Sequence, residues 1–156
     1  MTTMCMFDPV KVNLSEDLIV YKFLNVDTYN GVTRYTSPYY GRSGVWKIGV
    51  RAKPWPHSGS LINKTYHGRE FIDAGVFHSY KYMRDAWNAG WPFYNKYQTC
   101  VCRFRIPKDA TVYAGVQNDG TLTYASTEII FESVMSEEEI EKQRLYEITA
   151  FVLKRD

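Results

Sequence analysis

Three cysteines, an odd count, are too few for a disulfide framework and point to a reducing compartment. Cys100 and Cys102 share one face of a strand-like stretch and read as small core hydrophobes, with Cys5 far away. The three histidines, His57, His67 and His78, are scattered, so no zinc site of finger-like spacing is expected. No apolar run approaches the roughly 20 residues that span a bilayer. The start, "MTTMCMFDPVKV", has neither a charged leader nor a continuous apolar segment, so no signal peptide is expected and a cytoplasmic location is. Charge of one sign is also missing. Nineteen basic residues face 17 acidic ones, for a net charge of +2 with no like-charged block. Nucleic-acid binders concentrate basic charge on one face, so that class is excluded. Repeats, linkers and low-complexity segments are absent, and 156 residues suit one domain with a proper core.

Aromatics are what the chain has in quantity. Thirteen Tyr, eight Phe and four Trp make up 16% of it. A Tyr ring offers a flat apolar face and a polar tip, which suits either the packed face of a sheet or a wet ligand pocket.

The pattern of elements predicts an α+β domain, mainly an antiparallel sheet with two or so short helices. Residues 1–16 read as an N-terminal arm. "DLIVYKFLNV" (17–26) is β-branched and aromatic, a buried first strand. Turn residues fill 27–44, and "VWKIGVRA" (45–52) is a second strand that ends at Pro54. "EFIDAGVFHS" (70–79) is extended, with Gly75 as a bulge. Ser79 then reads as the N-cap of a three-turn helix with Tyr80, Met83, Ala86 and Trp87 on its apolar stripe, stopped by Gly90 in the left-handed region. "YQTCVCRFRI" (97–106) alternates cleanly. "ATVYAGVQ" and "LTYAS" flank Asn118-Asp119-Gly120, a hairpin signal, and 127–134 is another strand. Ser136 with Glu139 forms a capping box at the head of a helix. Residues 136–156 are then helix or helix and strand; the β-branched and aromatic content of "LYEITAFVL" (145–153) tips the reading to strand.

The order of these signals resembles the ADP-ribosyltransferases of the arginine-serine-glutamate class. "VYKF" (20–23), "AGVFHSYKYMRDAW" (74–87), "VCRFRIPKDATVYAG" (101–115) and "STEIIF" (126–131) follow the family's sequence of motifs, over about residues 17 to 131. "GVFHSY" and "IPKDATVYAG" also resemble small uncharacterised proteins of gut bacteriophages. The transferase resemblance implies a transferase-like topology and NAD or an ADP-ribose-type nucleotide as ligand. Lys22, beside Tyr21, stands where the family clamps phosphate with Arg, a change that loses the bidentate fork. Ser79 matches the Ser that steadies the nicotinamide ribose, without the family's Ser-Thr-Ser context. Glu128 matches the Glu that stabilises the cation formed as nicotinamide leaves. Ser79 and Glu128 would be the catalytic pair of an active enzyme. Arg42 would add phosphate charge, and Phe77, His78 and Tyr80 would surround the ring.

Each position also has a plain structural role. Ser79 serves as a helix cap, Glu128 as an outward strand residue, and His78 cannot pair with its neighbour Ser79 across a strand. Lys22 is the exception, because a Lys on a buried strand needs an acid, an edge or a pocket. Three functions follow. The chain binds a nucleotide without efficient turnover, with sequestration of a host immune signal as its setting. Alternatively it is a bacteriophage protein that binds a host protein, anchored by Trp55, Trp91 and Tyr94. The third is an active transferase on a host target.

Overall fold

Strand content dominates because β-branched and aromatic residues recur at a period of two between turn-forming clusters. The computed structural model describes residues 5–37, 45–53, 59–73, 75–90 and 98–154. Along the chain run β1 (Met6–Val12), β2 (Leu18–Tyr29), β3 (Val32–Thr36), β4 (Val45–Trp46), β5 (Arg51–Ala52), β6 (Asn63–Tyr66), β7 (Arg69–Ile72) and β8 (Phe77–Tyr80). Helix α1 (Met83–Gly90) follows, then β9 (Gln98–Ile106), β10 (Val112–Val116), β11 (Leu122–Ser126), β12 (Ile129–Val134) and α2 (Glu137–Leu153). Among the described residues the fold is α+β: two helices and an open, mostly antiparallel sheet in the order β5-β12-β9-β2-β8-β11-β10-β1-β7-β6, with β3 attached to β2 and β4 to β3.

Strands β2 and β9 form the spine, paired from Leu18↔Ile106 to Val26↔Gln98. One face of the spine carries Val20, Leu24, Cys102, Phe104 and Ile106, which pack with Phe131, Ile129 and Val112. Phe104 and Phe131 stack at 4.9 Å, and Trp46 meets Phe104 edge-on at 5.1 Å. The other face carries Tyr21, Phe23 and Val101 under Met83 and Ala86 of α1, with Met135 and Ile140 at its side. A third cluster, Met6, Ile72 and Ala125, lies toward the β7 end.

Several expectations need correction. Residues 6–12 are not an arm but strand β1, paired to both β10 and β7. The stretch 45–52 is two short strands, because Gly49 at φ 82° breaks it and Ile48 makes a parallel bridge to Phe131. Likewise Gly75 lies between β7 and β8 rather than inside one bulged strand. Ser79 is no N-cap: β8 runs through it to Tyr80, and α1 begins only at Met83, as an eight-residue helix. Gly90 does not take the left-handed conformation. A Cβ there would come within 3.1 Å of the Phe23 ring, so its role is close helix–sheet approach. Residues 145–153 are helix, the last turns of α2, and not strand.

Local chemistry explains the elements read correctly. Ser136 accepts from Glu139 N–H at 3.1 Å while Glu139 accepts from Ser136 N–H, closing the capping box. In the β10–β11 hairpin, Gln117 N–H donates to Thr121 O at 2.8 Å, and Asp119 accepts from Thr121 N–H at 2.9 Å.

Candidate functional site

The residues singled out from the sequence part company at β8. Tyr21 and Tyr80 pair across β2 and β8 and both lie buried on the α1 side. Their neighbours Lys22 and Ser79 point the other way, as the period of a strand requires. Phe77 joins them there and packs on Trp46 at 5.4 Å. His78 returns to the first side, where Nε2 lies 3.2 Å from the Asp73 carbonyl. Glu128, at the junction of β11 and β12, is held in a surface cluster by Arg51 and Lys53, and Arg51 also binds Asp109 at 2.9 Å. The Arg51 guanidinium keeps the Glu128 carboxyl below its ordinary range. Arg42, Trp55, Trp91 and Tyr94 lie outside the described residues.

Lys22, Phe77 and Ser79 are therefore together, and the setting is mostly interior. Lys22 is half-buried as a residue, but its amine is surrounded: it donates to the His78 carbonyl, sits 5.9 Å from the Trp46 ring and lies beside Cys102. Burial lowers its pKa from 10.5 to about 8. Burial also lowers His78 from 6.5 to about 4, against the pull of the Asp73 carbonyl. The buried Ser79 and Ser126 hydroxyls and the Trp46 indole N–H have no hydrogen-bond partner among the described residues. Cys100 and Cys102 approach to 3.4 Å between sulfurs.

An open site forms next to this. Strands β2 and β8 share a single register pair, because the chain leaves the sheet after Tyr80 to start α1. The first residues of β2 are left without a neighbour on that side. The resulting groove, of about 260 Å³, runs between Leu18, Ile19 and Tyr21 of β2, the start of α1, and the inner side of α2. Tyr82, Tyr124, Tyr146 and Phe151 line it with ring surface, and Lys81, Arg84 and Lys154 bring three cations. Arg84 lies 5.0 Å from the Tyr82 ring and 5.8 Å from Phe151; Lys81 lies 5.3 Å from Tyr82. None of the three cations makes an ion pair among the described residues.

The one carboxylate among the described lining residues is already engaged. Glu147 of α2 accepts from Met83 N–H at 2.8 Å and Arg84 N–H at 3.2 Å, and Gln143 donates to it at 3.2 Å. A carboxylate at a helix N-terminus satisfies orphan donors and meets the positive end of the helix dipole. Three cations against this single carboxylate leave the lining with a net positive charge. Flat rings can lie on its tyrosines, and an anionic group can meet Lys81, Arg84 or Lys154.

Of the expected residues that are described, only Tyr21 lines this groove. Lys81, Tyr82 and Arg84 sit in "SYKYMR", beside Ser79, but the sequence gives no reason to prefer them. Tyr146, Phe151 and Lys154 were hidden by the strand reading of 145–153. The apolar residues of α2 give no clear helical period: its inward face, Ile140, Gln143, Glu147, Ala150 and Lys154, follows three- and four-residue steps but is largely polar.

Among the described residues no group of three His, Cys, Asp or Glu could hold a metal ion, and no helix is long and apolar enough to cross a membrane. No family model, no curated protein and no solved structure matches the chain.

Proposed function

We propose that this chain is a binding module for a nucleoside phosphate, held in the groove between β2, α1 and α2. The observation that carries this reading is three cations, without ion-pair partners among the described residues, set against five aromatic side chains in one opening. The base stacks on a tyrosine face, and the phosphate meets Lys81, Arg84 and Lys154. A volume of about 260 Å³ lies below the roughly 300–1,000 Å³ of common ligand pockets, which favours one nucleotide unit over a whole dinucleotide. NAD or ADP-ribose would then be gripped by one half only.

Binding without turnover is the chemistry supported. Ser79 is fully buried, and Glu128 is tied to Arg51, so neither residue a transferase would need is presented to a substrate. A transferase-like topology remains part of this proposal, supported by the order of motifs along the chain. So does the setting, sequestration of a signalling nucleotide by a bacteriophage protein in a host cytoplasm, which rests on the phage resemblance.

Equilibrium dialysis against AMP, cyclic nucleotides, ADP-ribose and NAD tests the proposal. AMP has some two dozen non-hydrogen atoms, and about 0.3 kcal/mol for each gives a Kd on the order of 10 µM. Retention of AMP that is lost in Arg84→Gln supports the reading. Absence of retention for every nucleotide rejects it.

A further inference from the structure

On the face of β2 turned away from α1, Lys22 lies among hydrogen-bond donors that outnumber the acceptors. Tyr21 pairs with Tyr80 in antiparallel register, which sets Lys22 opposite Ser79 on that face. On its other side Lys22 pairs with Cys102 of β9, whose thiol is only a weak hydrogen-bonding group. The Lys22 amine gives one of its N–H bonds to the His78 carbonyl. Trp46 lies over it, with its ring 5.9 Å from the nitrogen and 5.4 Å from the Phe77 ring. Phe77 pairs with Ser126 across β8 and β11, so Ser126 is one diagonal step from Ser79. Ser79 and Ser126 are both 0% exposed. Their hydroxyls and the Trp46 indole N–H find no partner among the described residues.

This set has the polarity of an anion site. An ammonium and an indole N–H can only donate, and a serine hydroxyl turns its hydrogen toward whatever accepts. No carboxylate pairs with Lys22 among the described residues, so its charge has no counter-ion there. A buried charge is ordinarily paired. A water molecule would bring hydrogens that themselves need acceptors, which this cluster lacks. An anion accepts from every donor and supplies the missing charge. Full burial of both serines restricts the guest to a small one, and one ammonium balances one negative charge. Both conditions describe a halide and not a phosphate.

We propose that Lys22, Ser79, Ser126 and the Trp46 indole hold a monovalent anion of halide size beneath Trp46. Thermal unfolding at neutral pH and constant ionic strength tests this, with sodium gluconate replaced stepwise by sodium bromide. The wild-type melting temperature should rise by about 2–5 °C by about 100 mM bromide and then level off, as for a ligand of Kd on the order of 10 mM that binds only the folded chain. Ser79→Ala should at least halve that rise. Lys22→Met should melt above the wild type in gluconate and show no rise in bromide. Crystals grown in bromide should give an anomalous peak beside Lys22 Nζ. Equal melting of the wild type in the two salts overturns the proposal. So does a bromide effect that survives intact in Lys22→Met, since it would then come from the groove cations or the surface. Anomalous peaks confined to surface side chains would report an adventitious ion only and overturn it too.

Discussion

The Glu147 carboxylate, on α2, accepts a hydrogen bond from the Met83 N–H at 2.8 Å and so closes the open end of α1. Sixty-four positions separate the two residues, and between them they fix both walls of the groove. Glu147→Ala leaves two helix donors without their acceptor and is expected to cost about 1–2 kcal/mol. Urea unfolding checks the stability, and the same variant should bind AMP more weakly because α2 is no longer tied to α1. A variant as stable as the wild type would show that the cap is dispensable.

Two groups whose pKa values burial lowers, His78 and Lys22, contribute to the pH dependence. His78 has its pKa lowered from 6.5 to about 4, so between these values the unfolded chain binds a proton that the folded chain refuses. Stability should fall as pH drops from 6.5 to 4. Lys22 is lowered from 10.5 to about 8, so the unfolded chain again holds more protons between those values. Stability should therefore rise as pH climbs from 8 to 10.5, by up to about 3 kcal/mol.

Lys22→Met isolates the second effect. It replaces a desolvated ammonium by an apolar chain of similar length, and should stabilise the protein at pH 7 by about 1–3 kcal/mol. It should also remove the alkaline rise. Unfolding midpoints at pH 7 and pH 10 for both proteins decide the matter. An unchanged alkaline rise in Lys22→Met would place its origin elsewhere.

Gly115 sits where β10 passes β1. A Cβ there would lie 2.4 Å from Met6 Cγ and 2.6 Å from the Phe7 carbonyl oxygen. The carbonyl belongs to the paired backbone and cannot swing aside, so Gly115→Ala should destabilise by roughly 1–3 kcal/mol or more. Thermal unfolding of the variant measures this. A melting temperature equal to the wild type would mean that β1 is free to shift.

Legibility in the sequence followed the range of the interactions. The capping box at Ser136 and the Asn118-Asp119-Gly120 hairpin are settled within a few residues, and both were readable. Strand β1 was not, since Asp8 and Pro9 argue against a central strand; a register shift between Phe7 and Val10 takes the proline out of the regular ladder. Ser79 had the chemistry of a cap, but the true cap of α1 comes from Glu147, on a distant element. The β-branched residues of 145–153 favoured strand locally, and the inward step pattern from Ile140 to Lys154 prevailed. As for the site, Lys22 was rightly singled out as needing an explanation, and Tyr21 lines the groove. The cations beside it could be assembled only by the docking of α2.

The central claim is that the groove recognises a phosphate beside a stacked base, and one calorimetric comparison addresses it directly. Titrating AMP and then adenosine into the wild type and into Lys81→Gln/Arg84→Gln separates the two contributions. The account predicts that AMP binds the wild type at least tenfold more tightly than adenosine, and that this preference vanishes in the double variant while the weak adenosine binding persists. Equal heats for AMP in the two proteins, or no heat from AMP in the wild type, would contradict it.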